Sequence, residues 1–253
     1  MFDEVTITQW IMFAVTAFLV GIAKTGIPGV GIVAVPLIAI ASKDAKASVG
    51  LLLPLLIFAD LFAAGYYRRK AQWHHIIRLI PWALAGIVAG YLTMKHLESR
   101  QLEPIIGLIV LVMVGLKYWH SSRKKAAQLE EINIPFHWYF AAALGFIAGM
   151  TTMMANAAGP VMVIYLLVMG LPKTQFVGTA AWFFFIVNWI KVPFMADLDL
   201  INKQSLTLNA TLFPVIAVGA ITGIFVLKRI PQKLFDNAVL ILAAAAAIKL
   251  ILS

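Results

Sequence analysis

Lys24 sits where a charge is most costly. It lies in GIAKTGIPGVG, residues 21–31, between two apolar runs, 7–23 and 32–41, that hold no ionisable side chain. The same eleven residues hold a threonine, a proline and four glycines. Glycine and proline interrupt a helix. At membrane depth a broken backbone is tolerated only against protein or a watery cavity. A lysine there is expensive and points to function. The chemistry this suggests is anion binding. Lys24 supplies a full charge, and a helix restarting at Gly29 would turn unpaired N–H groups toward the same point.

A second break follows at 150–160, MTTMMANAAGP. A helix restarting at Ala157 would present N–H groups in the same way. Thr25, Thr151, Thr152 and Asn156 add neutral hydrogen-bonding groups, and Gly26, Gly29 and Gly159 let the backbone come close. The competing reading is structural: small residues let membrane helices pack tightly, and Thr and Asn bond across helices. Asp60 is the other anomaly, a carboxylate between Phe58 and Leu61 in an apolar run. Such groups usually pair. The mate of Asp60 in the second half is Asn188, three residues before Lys191. Lys24 or Lys191 would serve as partner, and Asp60 would either carry a coupling proton or form a purely structural pair.

The elements that must hold these residues are membrane helices. The chain has 253 residues, 62% apolar and 12% charged, more apolar than a soluble domain. Apolar segments fall near 6–23, 30–42, 47–66, 75–95, 102–119, 136–150, 158–170, 174–195, 206–227 and 234–252. They are continuously apolar, which excludes the alternating pattern of an outer-membrane barrel. A span needs roughly 20 residues, so 30–42, 136–150 and 158–170 are short. Each lies beside a break, which predicts a hairpin of partial helices in each half. The acidic start, MFDE, lacks a small-residue cleavage site after its apolar run and is read as the start of the mature chain.

The halves repeat. A shift of 128 brings Gly21 onto Gly149, Gly31 onto Gly159, Gly50 onto Gly178 and Asp60 onto Asn188; a shift of 133 brings Gly86 onto Gly219, Gly90 onto Gly223 and Lys95 onto Lys228. The division is 1–119 for the first repeat, 120–135 for a polar connector and 136–253 for the second repeat. Basic residues crowd 68–78, 117–125 and 228–233, which the positive-inside rule assigns to the cytoplasm. The acidic loop holding Asp197 and Asp199 corresponds to the basic loop at 67–74. The repeats are therefore expected to be inverted, as in many secondary transporters, with both termini outside. The net charge of +9 reflects those cytoplasmic loops rather than nucleic-acid binding.

Enzyme patterns are missing. The sequence has no cysteine, no His-Glu-x-x-His, no Gly-x-Ser-x-Gly and no phosphate loop of the GxxxxGK[ST] form. No cofactor or metal is expected, and direct ATP coupling would need another subunit.

Two weakly similar halves, each opening with a Gly-rich broken hairpin, resemble the TauE/SafE sulfite exporter family. The carriers of the resemblance are GIAKTGIPGVGIVAVPL (21–37) followed by Val49-Gly50, and GFIAGMTTMMANAAGP (145–160) followed by Val177-Gly178-Thr179. The resemblance implies an inner-membrane carrier for sulfur-containing anions such as sulfite, thiosulfate, sulfonates or sulfoacetate. The residues alone reach only "anion". The expectation is an all-α, multi-pass carrier working by alternating access, with a small anion and the lipid bilayer as partners and a proton or other ion for coupling. An anion channel and a non-transporting membrane scaffold are the alternatives.

Overall fold

The computed structural model describes residues 6–28, 30–42, 45–96 and 138–231, with 234, 235, 237 and 241 beyond them. The expected segment 102–119, the connector 120–135, most of 234–252 and Gly29 lie outside the described residues.

The described elements are all helical: α1 (Ile7–Thr25), a 3-10 turn (Val30–Val33), α2 (Ala34–Ser42), α3 (Ala45–Tyr66), α4 (Trp73–His96), α5 (Trp138–Ala155), α6 (Gly159–Val168), α7 (Lys173–Asp197) and α8 (Lys203–Arg229). Six are long and apolar enough to cross a membrane; α2 and α6, of 9 and 10 residues, are not. Polar residues start the spans. The Thr6 hydroxyl accepts from the Gln9 backbone N–H while the Gln9 side chain takes the Thr6 N–H, and Asn202 and Ser205 do the same ahead of α8. Large apolar side chains such as Leu61, Val88, Val218 and Phe225 point outward, as lipid rather than water permits. Trp73 and Trp138, at the first residues of α4 and α5, are exposed too, the position of interfacial tryptophans.

Two helix pairs pack backbone to backbone. On α1 and α8, Gly219 meets Phe18, Gly21 meets Ile216, and Gly223 meets Ile22. On α4 and α5, Gly86 meets Phe146, Gly149 meets Ala83, and Gly90 meets Met150. A Cβ on Gly86 would lie 2.0 Å from the Phe146 carbonyl oxygen, so only glycine fits. The contacts run from Leu79–Gly145 to Gly90–Met153 along one pair and from Phe18–Gly219 to Gly26–Gly223 along the other, so each pair runs parallel. Between the pairs lie α3 and α7, which cross antiparallel: Gly50 meets Leu200, Asp60 meets Asn188, and Gly178 meets Tyr67. One apolar cluster joins α1, α2, α3 and α8, a larger one centres on α4 to α7, and a small one joins Ala63 and Ala64 to Ala181.

The hairpins differ from expectation. The expected short segment 136–150 is an 18-residue helix that continues through Thr151–Met154 to Ala155. Lys24 and Thr25 are also helical, in the last turn of α1. Each hairpin is therefore one full-length helix and one short one, not two partial helices. The reason is that nothing in Thr151–Ala155 opposes helix, so the chain turns only at Asn156, whose φ is 52°. Asn is among the few residues other than glycine that enter this left-handed region readily. After it, Pro160 sits in the first turn of α6, where its missing N–H costs nothing.

Candidate functional site

A chain of polar contacts runs across the middle of the α3–α7 crossing. The Lys24 Nζ lies 2.8 Å from an Asp60 oxygen. The other Asp60 oxygen accepts from the Asn188 amide at 2.7 Å. The Asn188 carbonyl oxygen accepts from Lys191 Nζ at 3.3 Å. Lys191 also donates to Asn156 Oδ1 at 2.6 Å and Thr152 Oγ1 at 3.2 Å. The Asn156 amide in turn donates to the Val49 carbonyl at 3.0 Å. Asp60 and Lys191 are fully buried, while the Lys24 side chain keeps 13% exposure.

Helix spacing explains the grouping. Asn188 and Lys191 stand three apart on α7, on one face. Thr152 in the last turn of α5 and Asn156 just past its end are four apart. Lys24 reaches α3 from the last turn of α1, and its ammonium sits 4.2 Å from the centre of the Phe184 ring, close enough for a cation–π contact. The cluster thus contains two lysines and one carboxylate. All three donors of Lys191 end on neutral oxygens.

The structure brings Lys24, Asp60, Thr152, Asn156, Asn188 and Lys191 into one network. Among the described residues, the other expected site residues make none of the contacts in this network. The Thr25 hydroxyl donates to the Ala220 carbonyl at 2.7 Å and the Gly21 carbonyl at 3.0 Å, holding α1 on α8. Gly26 serves the same contact, since a Cβ there would lie 2.5 Å from the Gly223 carbonyl oxygen. The Thr151 hydroxyl bonds back to Ala148 in its own helix at 3.3 Å. Gly159 opens α6 beside free space: a Cβ on it would meet nothing within 4 Å.

Three participants escaped the sequence reading. Phe184 lies in an aromatic run with nothing to single it out. The Val49 carbonyl is backbone. Tyr67 donates its hydroxyl to the Thr25 carbonyl at 2.9 Å and so supports the end of α1 beside Lys24. Burial pushes the Tyr67 phenol above its usual range, so it keeps the proton it donates. Its position just past α3 was the available signal.

Among known proteins, one from Moorella thermoacetica named undecaprenyl-diphosphatase is 26% identical over 185 residues, covering 69% of this chain. The match spans 65% of that protein's length. No solved structure matches the chain. Residues 13–250 match the family described as sulfite exporter TauE/SafE. With nearly its full length matched, the chain belongs to the sulfite exporter TauE/SafE family.

Proposed function

We propose that the chain is a secondary transporter of the bacterial-type inner membrane that moves a small sulfur-containing anion of the sulfite, thiosulfate, sulfonate or sulfoacetate class by alternating access. The observation that carries this is the buried cluster in which Lys24 and Lys191 outnumber Asp60. Lys24 is matched by the carboxylate, so Lys191 is the basic group that an anion would meet. Thr152 and Asn156, released from Lys191, become hydrogen-bonding groups for that anion. The free space at Gly159, at the start of α6 where backbone N–H groups lack helical partners, gives it room. The family supplies the sulfur chemistry.

The reading includes an inverted repeat: 1–119, a connector at 120–135, and 136–253. Its support is that contacts repeat as well as residues. Under the shifts of 128 and 133, the Phe18–Gly219 contact corresponds to Phe146–Gly86, and Gly21–Ile216 to Gly149–Ala83. Pro81 in α4 and Pro214 in α8 are equivalent in the same way. The equivalent helices α3 and α7 run antiparallel, as inversion requires. Such an arrangement lets the site be approached from either face in turn. The basic ends would face the cytoplasm and both termini the outside. Asp60 is the group through which a proton or other ion would couple.

Hydrolysis of a lipid diphosphate, the activity in the name of the Moorella protein, is the weaker reading. Among the described residues, the spans hold two carboxylates, Asp60 and Asp197. Asp60 is engaged by Lys24 and Asn188, and Asp197 sits at the exposed end of α7 with Tyr91 and Lys95.

The test is counterflow in proteoliposomes, preceded by a thermal-shift screen of sulfite, thiosulfate, sulfate, small sulfonates and carboxylates. A ligand that binds the folded state raises its stability with occupancy. A carrier accumulates labelled anion against its gradient when loaded with unlabelled anion. Movement without exchange-driven accumulation indicates a channel, and absence of any ligand shift indicates a scaffold.

A further inference from the structure

We infer that a pocket at the basic end of the fold, between α3, α7 and α8, is a second anionic site, built for the phosphate of an anionic phospholipid head group. The cavity is about 280 Å³ and is lined by Tyr66, Tyr67, Lys70, Lys173, Thr174, Leu227 and Lys228. Three of the seven are lysines and none is acidic. That volume admits a phosphodiester and its glycerol but not acyl chains.

The lysines divide the work. Lys173 donates to the Leu227 carbonyl at 2.9 Å and to the Ile230 carbonyl, which caps the end of α8. Lys70 and Lys228 are exposed. The Lys228 ammonium lies 5.5 Å from the Tyr66 ring and 5.9 Å from the Phe225 ring. Both rings are about half-exposed, 49% and 58%, among the outward apolar side chains where α3 and α8 end. The charge therefore stands at the level of head groups, on the lipid side of the pocket. Lys95, the residue equivalent to Lys228 in the other half, lies 3.4 Å from the Asp197 carboxylate. At the basic end the corresponding residue is Arg69, so no acid neutralises the corner. Basic pockets between spans are the general form of head-group sites on the cytoplasmic side.

Nanodiscs with increasing phosphatidylglycerol in phosphatidylcholine test this, read by thermal unfolding. Wild type should gain stability with phosphatidylglycerol. A Lys70→Gln/Lys228→Gln variant should match wild type in pure phosphatidylcholine and lose most of the gain, with apparent affinity roughly 30-fold weaker for two lost charges. Lys70→Arg/Lys228→Arg should keep it. Arg68→Gln/Arg69→Gln, which removes equal charge from the same loop outside the pocket, should lose distinctly less of it. Equal loss in both Gln variants, or no loss in either, overturns the site. Inorganic phosphate added to detergent-solubilised protein separates the sources. A shift with phosphate and none with phosphatidylglycerol would overturn the lipid assignment and make the ligand a free oxyanion.

Discussion

Asp60 and Asn188 are bonded across 2.7 Å and stand 128 positions apart, the offset that relates the two halves of the chain. In the proposed repeat, a residue and its equivalent thus meet at the middle of the α3–α7 crossing. One is an acid and the other an amide, so the pair is chemically unequal. That inequality lets Asp60 match Lys24 on one side while Asn188 turns its carbonyl to Lys191 on the other.

Removing one partner of the Lys24–Asp60 pair should harm folding more than removing both. A lone buried charge costs about 3–5 kcal/mol, whereas an apolar replacement of the whole pair is close to neutral. Asp60→Asn and Lys24→Met are each expected to lower the unfolding temperature clearly, and Lys24→Met/Asp60→Leu to recover most of it. Transport should be absent in all three if the pair belongs to the carrier cycle. A double variant that is stable and transports at the wild-type rate with unchanged pH dependence would reduce the pair to a structural one.

Lys191 should matter more for ligand than for stability of the empty protein. It donates to three neutral oxygens rather than to a carboxylate. Lys191→Met leaves no unmatched charge and is expected to fold. A hydrogen bond to a charged group contributes about 1.5–3 kcal/mol, so anion affinity should fall about 10- to 100-fold. Isothermal titration with sulfite or thiosulfate reads this directly. Unchanged affinity would remove Lys191 from the site.

Asn156 offers a separation of backbone from side chain. Its φ of 52° suits glycine, and an alanine there costs about 1–2 kcal/mol. Both Asn156→Gly and Asn156→Ala lose the bonds to Lys191 and Val49. The glycine variant should therefore be the more stable by about 1–2 kcal/mol, although glycine is the poorer residue inside a helix. Both should bind anion weakly. Chemical denaturation in detergent orders the two, and the reverse order would mean that the turn relaxes.

The spans were legible because apolar runs of spanning length have few other uses, and the bounds of α3, α4 and α7 fall close to the segments read from composition. The two breaks were legible because Lys24 and the glycines contradict their surroundings. Their limits were not. Thr151–Met154 and Lys24-Thr25 carry no helix-breaking residue, and the chain stays helical until Gly26 and Asn156 end it. Within the breaks, residue type did not separate a hydroxyl that binds across helices from one that lines a site. Thr25 and Thr152 look alike in sequence, yet Thr25 bonds to α8 and Thr152 to Lys191. That choice depends on which neighbour each helix face meets, and only the packing decides it.

Inversion has a direct test in sidedness, made simple because the chain has no cysteine. Arg69 follows α3, and Gln204 lies just beyond Leu200, which packs on Gly50 near the opposite end of the same helix. Both side chains are exposed. In the shift of 128, Arg69 is equivalent to Asp197, seven residues before Gln204 and at the same end of the fold as it. Parallel repeats would therefore put Arg69 and Gln204 on one face, and inverted repeats on opposite faces. Neither Arg69→Cys nor Gln204→Cys disturbs a bond in the buried network. In right-side-out vesicles, a membrane-impermeant maleimide is expected to label Gln204→Cys at once and Arg69→Cys only after permeabilisation. Labelling of both from the same side would break the inverted repeat and, with it, the access of one site from two faces. Labelling of Arg69→Cys alone would keep the repeat and reverse the orientation assigned by the basic loops.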